Sequence, residues 1–146
     1  APCALPLNAA TAPWQTYSNV RFAYSICYPW DLLKPGAVSD NGDGRLFNGK
    51  GGATLRVYGS NNALEASLAD TYAEAQSEAA SHGATVTYKV SKADWFVLSG
   101  RDGDMLYYRR TRLTADQFKT FELRYPAADA LTWNSIAARI SACFKG

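Results

Sequence analysis

The feature that most constrains this chain is a series of short runs in which apolar and polar residues alternate, each closed by glycine, proline or an Asp/Asn turn. A strand places successive side chains on opposite faces, so each run predicts a half-buried β-strand. In "RFAYSICYP", Phe22, Tyr24, Ile26 and Tyr28 share one face, while Ala23, Ser25 and Cys27 take the other. Pro29 has no N–H to give a ladder and closes the run. A shorter arm from Trp14 to Tyr17 precedes it, and a turn at Ser18 and Asn19 is expected to join the two as a hairpin. "ATLRVYG" sets Ala53, Leu55 and Val57 against Thr54, Arg56 and Tyr58, and "ATVTYKV" supplies another strand. "FKTFELRYP" sets Phe121, Leu123 and Tyr125 against Thr120, Glu122 and Arg124. Between "DWFVLSG" and "MLYYRRTRL" lies "RDGD", whose Asp-Gly signals a hairpin and whose length also suits a four-residue loop.

Two stretches carry the helical period instead. In "SNNALEASLADTYAEAQSEAASHG", Leu64, Leu68, Tyr72, Ala75 and Ala79 define one stripe. Asn62 and Glu65 have the spacing of a capping box, which predicts the helix start there, and Gly83 ends it. "ALTWNSIAARISACF" predicts a terminal helix with Trp133, Ile136, Ile140 and Cys143 inward and Arg139 toward solvent. "WDLLKPG" is expected as a connector that tucks in Leu32 and Leu33, and Ser39 to Gly52 as a glycine-rich loop.

The order is hairpin, loop, strand, helix, a meander of about three strands, then helix. It lacks the regular strand–helix alternation of a parallel sheet. It predicts an α+β fold, an antiparallel β-sheet covered by helices. One domain over residues 14–146 follows an irregular Pro/Ala-rich lead over residues 1–13. With 146 residues, 47% of them hydrophobic, the chain has the material for a single core.

The loop "SDNGDGRLFNGKGG" is the first candidate for chemistry. A calcium loop needs oxygen ligands at positions 1, 3, 5 and 12 and glycine at 6. The best register offers Ser39, Asn41, Asp43 and Gly44, but position 12 is Lys50, a cation where a bidentate acid belongs. Two tandem turns explain the residues better, leaving a calcium-stabilised domain built on Asp40, Asn41 and Asp43 as an alternative. The same glycines make no phosphate cradle, because Gly-Lys-Ser/Thr is absent and a strand follows rather than a helix.

Catalytic signals are sparse. His82 is the single histidine, placed at the expected end of the first helix, where it serves as a cap. A Cys27–His82 pair would need the fold to bring them together. Glu74 and Glu78 lie four apart on an exposed helix face, and Asp102 and Asp104 flank a turn glycine. No cofactor motif is present. The alternative reading, an enzyme of the hydrolase class, would need a cleft joining Asp43, His82 or Cys27.

The segment "YYRRTR" is the best binding candidate. Tyr108, Arg110 and Arg112 fall on one strand face, and Tyr107 and Arg109 on the other. Arginine beside tyrosine can grip a carboxylate or phosphate and stack on a ring. Tyr108, Arg109, Arg110 and Arg112 are therefore the expected contact residues, although long side chains covering apolar surface would look the same. Fifteen basic against 13 acidic residues leave a charge of +2, too little for a nucleic-acid groove. No run approaches the roughly 18 apolar residues of a membrane span.

The start at Ala1 without methionine, followed by small residues, is what signal-peptide removal leaves. Cys3, Cys27 and Cys143 allow one disulfide in three possible pairings, as suits a periplasmic or secreted protein.

Taken together, "RFAYSICYPWDLLKPG", "NGDGRLF", "ATLRVYG", "WFVLSG", "LYYRR" and "FELRYP" resemble a group of exported bacterial proteins, and the fold they imply resembles the Mog1/PsbP-like α/β/α sandwich. The resemblance covers most of residues 14–144. Proteins of that fold include assembly factors of photosynthetic machinery and a small-GTPase partner, and the likeness brings no catalytic residue with it. The reading that results is an exported accessory domain, monomeric or weakly dimeric, that recognises a protein or small polar ligand without catalysis.

Overall fold

A computed structural model describes residues 13–146. Nine strands and two helices follow in order: β1 (Trp14–Asn19), β2 (Tyr24–Pro29), β3 (Leu33–Val38), β4 (Gly44–Gly49), β5 (Thr54–Asn61), α1 (Leu68–Ser81), β6 (Thr85–Ser91), β7 (Trp95–Asp102), β8 (Met105–Thr114), β9 (Gln117–Pro126) and α2 (Ala130–Cys143). Single 3₁₀ turns lie at Lys50–Gly52 and Ala127–Asp129. Strands β3 to β9 form a seven-stranded sheet in the order β3-β4-β5-β9-β8-β7-β6, with every neighbouring pair antiparallel. Helix α1 carries the chain from β5 to the far edge at β6. The meander β6 to β9 then returns until β9 pairs with β5.

The strand period decides which residues meet which layer. Leu55, Val57, Phe121, Leu123 and Tyr125 point to one face, where they pack with Trp133, Ile136 and Ile140 of α2 and with Phe22, Tyr24, Ile26 and Tyr28 of the β1–β2 hairpin. Phe96, Leu98 and Tyr107 point to the other face and meet Leu68 and Ala75 of α1. The sheet is thus a central layer with α2 and the hairpin on one side and α1 on the other. Burying a single large side chain from either layer contributes roughly 1.5–3 kcal/mol, so the expected alternation is what holds the layers together.

Several local expectations need correction. "WDLLKPG" is no mere connector: Leu33–Val38 is the edge strand β3. The expected loop from Ser39 to Gly52 contains strand β4, with a turn on each side. Helix α1 starts at Leu68 with Ser67 as its cap, the Ser67 hydroxyl accepting from Asp70 N–H. Asn62 instead closes its own turn with Ala66, and Leu64 lies outside the helix, exposed. Ser18 and Asn19 end β1 rather than forming the turn, which occupies residues 20–23. The β7–β8 loop holds two residues, Gly103 and Asp104, because Asp102 pairs with Met105. The return meander has four strands, not three.

Candidate functional site

Strand β8 lies near the middle of the sheet, between β9 and β7, so both its faces meet other parts of the protein. Tyr108, Arg110 and Arg112 face α2. The Tyr108 hydroxyl donates to Ser141 Oγ at 3.1 Å, and Arg110 Nη1 donates to the Ser141 carbonyl and Oγ, both at 3.0 Å. Arg112 Nη1 reaches the Phe144 carbonyl at 3.5 Å. A helix leaves its last carbonyls unpaired and favours cations there, so Arg110 and Arg112 anchor the end of α2 to the sheet. The Arg110 guanidinium also lies 4.6 Å from the Trp95 ring centre.

Arg109, grouped with these residues in the sequence reading, points the opposite way. It faces α1, directly across from Glu122 and Leu98 in the register. There it lines a nook of about 60 Å³ with Glu78, His82, Asp102 and Arg124. Arg124 pairs with Asp102 at 3.0 Å and Glu122 at 3.1 Å. Burial works against the charge of Arg124, but these two carboxylates outweigh it and raise its pKa. The nook holds acids and bases side by side, yet Arg109 Nε is buried there without a hydrogen-bond partner.

On the α2 face the cover is narrower than the sheet. Beside α2 runs a groove of about 490 Å³ with Thr87 and Tyr88 of β6 as one wall, Ser99 and Tyr108 as floor, and Asn134 and Ala138 of α2 as the other wall. Tyr125 donates to Asn134 Oδ1 at 2.7 Å at its base, and burial raises the pKa of that phenol. Tyr88 is 55% exposed on the rim, unusual for a side chain of that size. The groove joins aromatic walls to hydroxyl and amide groups, the composition of a recognition site. No signal in the sequence could have placed α2 opposite β6, which is why Tyr88, Ser99 and Asn134 escape a reading of the residues alone.

The edges of the sheet are guarded. Strand β3 carries Lys34, Pro35 and a register shift between Pro35 and Val38, and β6 carries a shift between Val86 and Tyr88. Lysine, proline and bulges discourage a foreign strand from adding to an edge. Contact through a face is favoured over strand addition.

The Asn/Asp-rich turn is held by the hairpin. Asn19 Nδ2 donates to the Gly42 carbonyl at 2.9 Å, the Tyr24 hydroxyl to the Asp43 carbonyl at 2.9 Å, and Arg21 to the Asn41 carbonyl. Ser39 Oγ accepts from the N–H groups of Asp43 and Gly44, both at 3.0 Å. The backbone carbonyls of Asn41, Gly42 and Asp43 thus accept from the hairpin and the Ser39 hydroxyl closes the loop on itself, which is turn chemistry.

Cys27 and Cys143 form a disulfide with Cα atoms 5.9 Å apart, which ties β2 to the last residue of α2. This selects one pairing from the three the sequence allowed; Cys3 lies outside the described residues. A bonded Cys27 is no thiolate nucleophile. It belongs to the α2 side, whereas His82 lines the α1-side nook, so the structure does not bring the two together. Asp43 lies at the hairpin-held turn, apart from both. No described helix is long and apolar enough to cross a membrane.

No family model matches the chain, and no curated protein matches its sequence. Among solved structures it is similar to cyanobacterial PsbP (CyanoP) from Synechocystis sp. PCC 6803, with a TM-score of 0.68, 16% identity and 99% of each chain covered. It is also similar to the Saccharomyces cerevisiae Ran-binding protein Mog1p, with a TM-score of 0.63, 8% identity, and coverage of 92% of this chain and 95% of that one. At such identities the shared property is the fold: the antiparallel sheet between helices that the strand pattern predicts, in the Mog1/PsbP-like sandwich arrangement that the resemblance implies.

Proposed function

We propose that this chain is a non-catalytic recognition domain, periplasmic or secreted, that receives a segment of a protein partner in the groove beside α2. One observation carries the reading: a roomy groove lined by Tyr88, Tyr108, Ser99 and Asn134 remains where α2 stops short of β6. Tyrosine supplies large contact area at low entropic cost, and such anchors dominate binding energy at interfaces. Of the contact residues expected from sequence, Tyr108 lines this groove. Mog1p is by its description a Ran-binding protein, which supports the sandwich as a scaffold for protein recognition without naming a partner here. The Cys27–Cys143 disulfide supports an oxidising compartment.

The test compares affinity capture from an envelope extract by the native sequence, Tyr88→Ala and Arg109→Ala. Loss of a rim anchor is expected to weaken recovery of a discrete partner by about tenfold, the effect of an interface hot spot. Arg109→Ala, on the opposite face, is expected to leave it unchanged. Equal recovery by all three forms contradicts the groove.

A further inference from the structure

Arg110, Arg112 and Lys119 form a cluster of three positive charges on the α2 face. Arg112 and Lys119 are direct cross-strand partners, and Arg110 lies two residues along β8 on the same side. Like charges opposite each other on a sheet repel. Lys119 is only 2% exposed, and its ammonium donates to the Thr114 carbonyl at 3.3 Å and to the Thr114 hydroxyl. Arg110 and Arg112 reach the Ser141 and Phe144 oxygens already described. All of these acceptors are neutral.

Among the described residues, the ion pairs are those of Arg124 with Asp102 and Glu122, on the other face of the sheet. The Gly146 oxygen accepts from the Thr114 hydroxyl at 2.7 Å and from none of the three cations. The Nε atoms of Arg110 and Arg112 are both buried without an acceptor. Burial first, and then repulsion from Arg112, weakens the hold of Arg110 and Lys119 on their protons, with Tyr108 and Asp94 acting the other way on Arg110. Charges drawn out of water are normally paired, and these three hydrogen-bond only neutral oxygens, with Asp94 acting on Arg110 from beyond ion-pair distance, so the cluster has room for a closer anion.

We propose that Arg110, Arg112 and Lys119 form a binding site for an oxyanion, a carboxylate or phosphate group whose oxygens complete the unfilled arginine hydrogen bonds. The guanidinium fork matches such groups, and a charge-assisted bond is about twice as strong as a neutral one. Trp95, stacked on Arg110, forms an aromatic flank to the same site. The site lies on the same sheet face as the groove, but it stands whatever occupies that groove.

Arginine side-chain NMR tests it directly. Inorganic phosphate and a triglutamate peptide are titrated separately at constant ionic strength, while the Nε–H signals of Arg110, Arg112 and Arg124 are followed. The expected result is a saturable downfield shift at Arg110 and Arg112. Arg124, whose Nε–H already donates to Glu122 at 3.1 Å, should stay still. Tighter saturation by the peptide identifies a protein carboxylate as the source, and tighter saturation by phosphate a free phosphate group. Arg112→Gln should weaken the response at Arg110 at least about fivefold. Shifts that never saturate, or that are equal at Arg124, overturn the site from the native protein alone, even if the variant fails to fold.

Discussion

A Cβ placed on Gly59 would stand 2.4 Å from Phe22 Cγ, so the absence of a side chain there lets the hairpin's Phe22 lie directly on β5. Gly59→Ala is expected to cost about 1–3 kcal/mol, the usual effect of overpacking, as measured by urea denaturation. Tyr24 acts at the same seam. Burial chiefly, then the charges of Tyr17 and Asp43, keeps its phenol neutral well above the ordinary range, and burial likewise raises Tyr107 and Tyr125. A folded pKa above the unfolded value of about 10 means that these groups contribute stability fully below about pH 10 and lose it as pH rises further. Thermal midpoints should therefore fall steeply above about pH 10, and less steeply in Tyr24→Phe. The inward set Phe22, Tyr24, Ile26 and Tyr28 was legible because strand period alone assigns a face. The anchoring roles of Arg110 and Arg112 were not: a strand sequence divides its side chains between two faces without saying which helix lands on either.

Among the elements, α2 depends on its fastenings. The Cys27–Cys143 bond closes a separation of 116 residues between β2 and the helix end, beside the Arg110 and Arg112 contacts to Ser141 and Phe144. Cross-linking so long a loop removes much chain entropy from the unfolded state. The Cys27→Ser/Cys143→Ser double variant is expected to lose about 2–5 kcal/mol in urea melts, and a loss below about 1 kcal/mol would mean that the bond is incidental. Helices and interior strands were readable in type, since their periods extend over several residues. Strands β3 and β4 were not. Lys34, Pro35 and Gly36 look like turn chemistry but belong to a protected edge, and Gly44 and Gly49 bracket β4 so closely that it passes for loop. The start of α1 was misplaced for a related reason: Asn62 makes the side-chain bonds of a cap, but to a turn that precedes the helix.

Across the whole molecule, sheet width and helix cover are mismatched. Seven strands offer two faces; α1 packs over the β6–β7 end of one, while α2 and the hairpin cover the other without reaching β6. The antiparallel layer itself was readable from tight turns between alternating runs, and the solved structures share it. The groove was not readable, because it arises from where two distant elements stop rather than from any one segment. The most direct measurement is a site-specific photo-crosslinker at position 88 on the groove rim, with one at position 74 on the exposed face of α1 as control. A discrete adduct with one protein partner is expected from position 88 and none from position 74; equal labelling from both positions, or none from position 88, would contradict the groove as the contact surface.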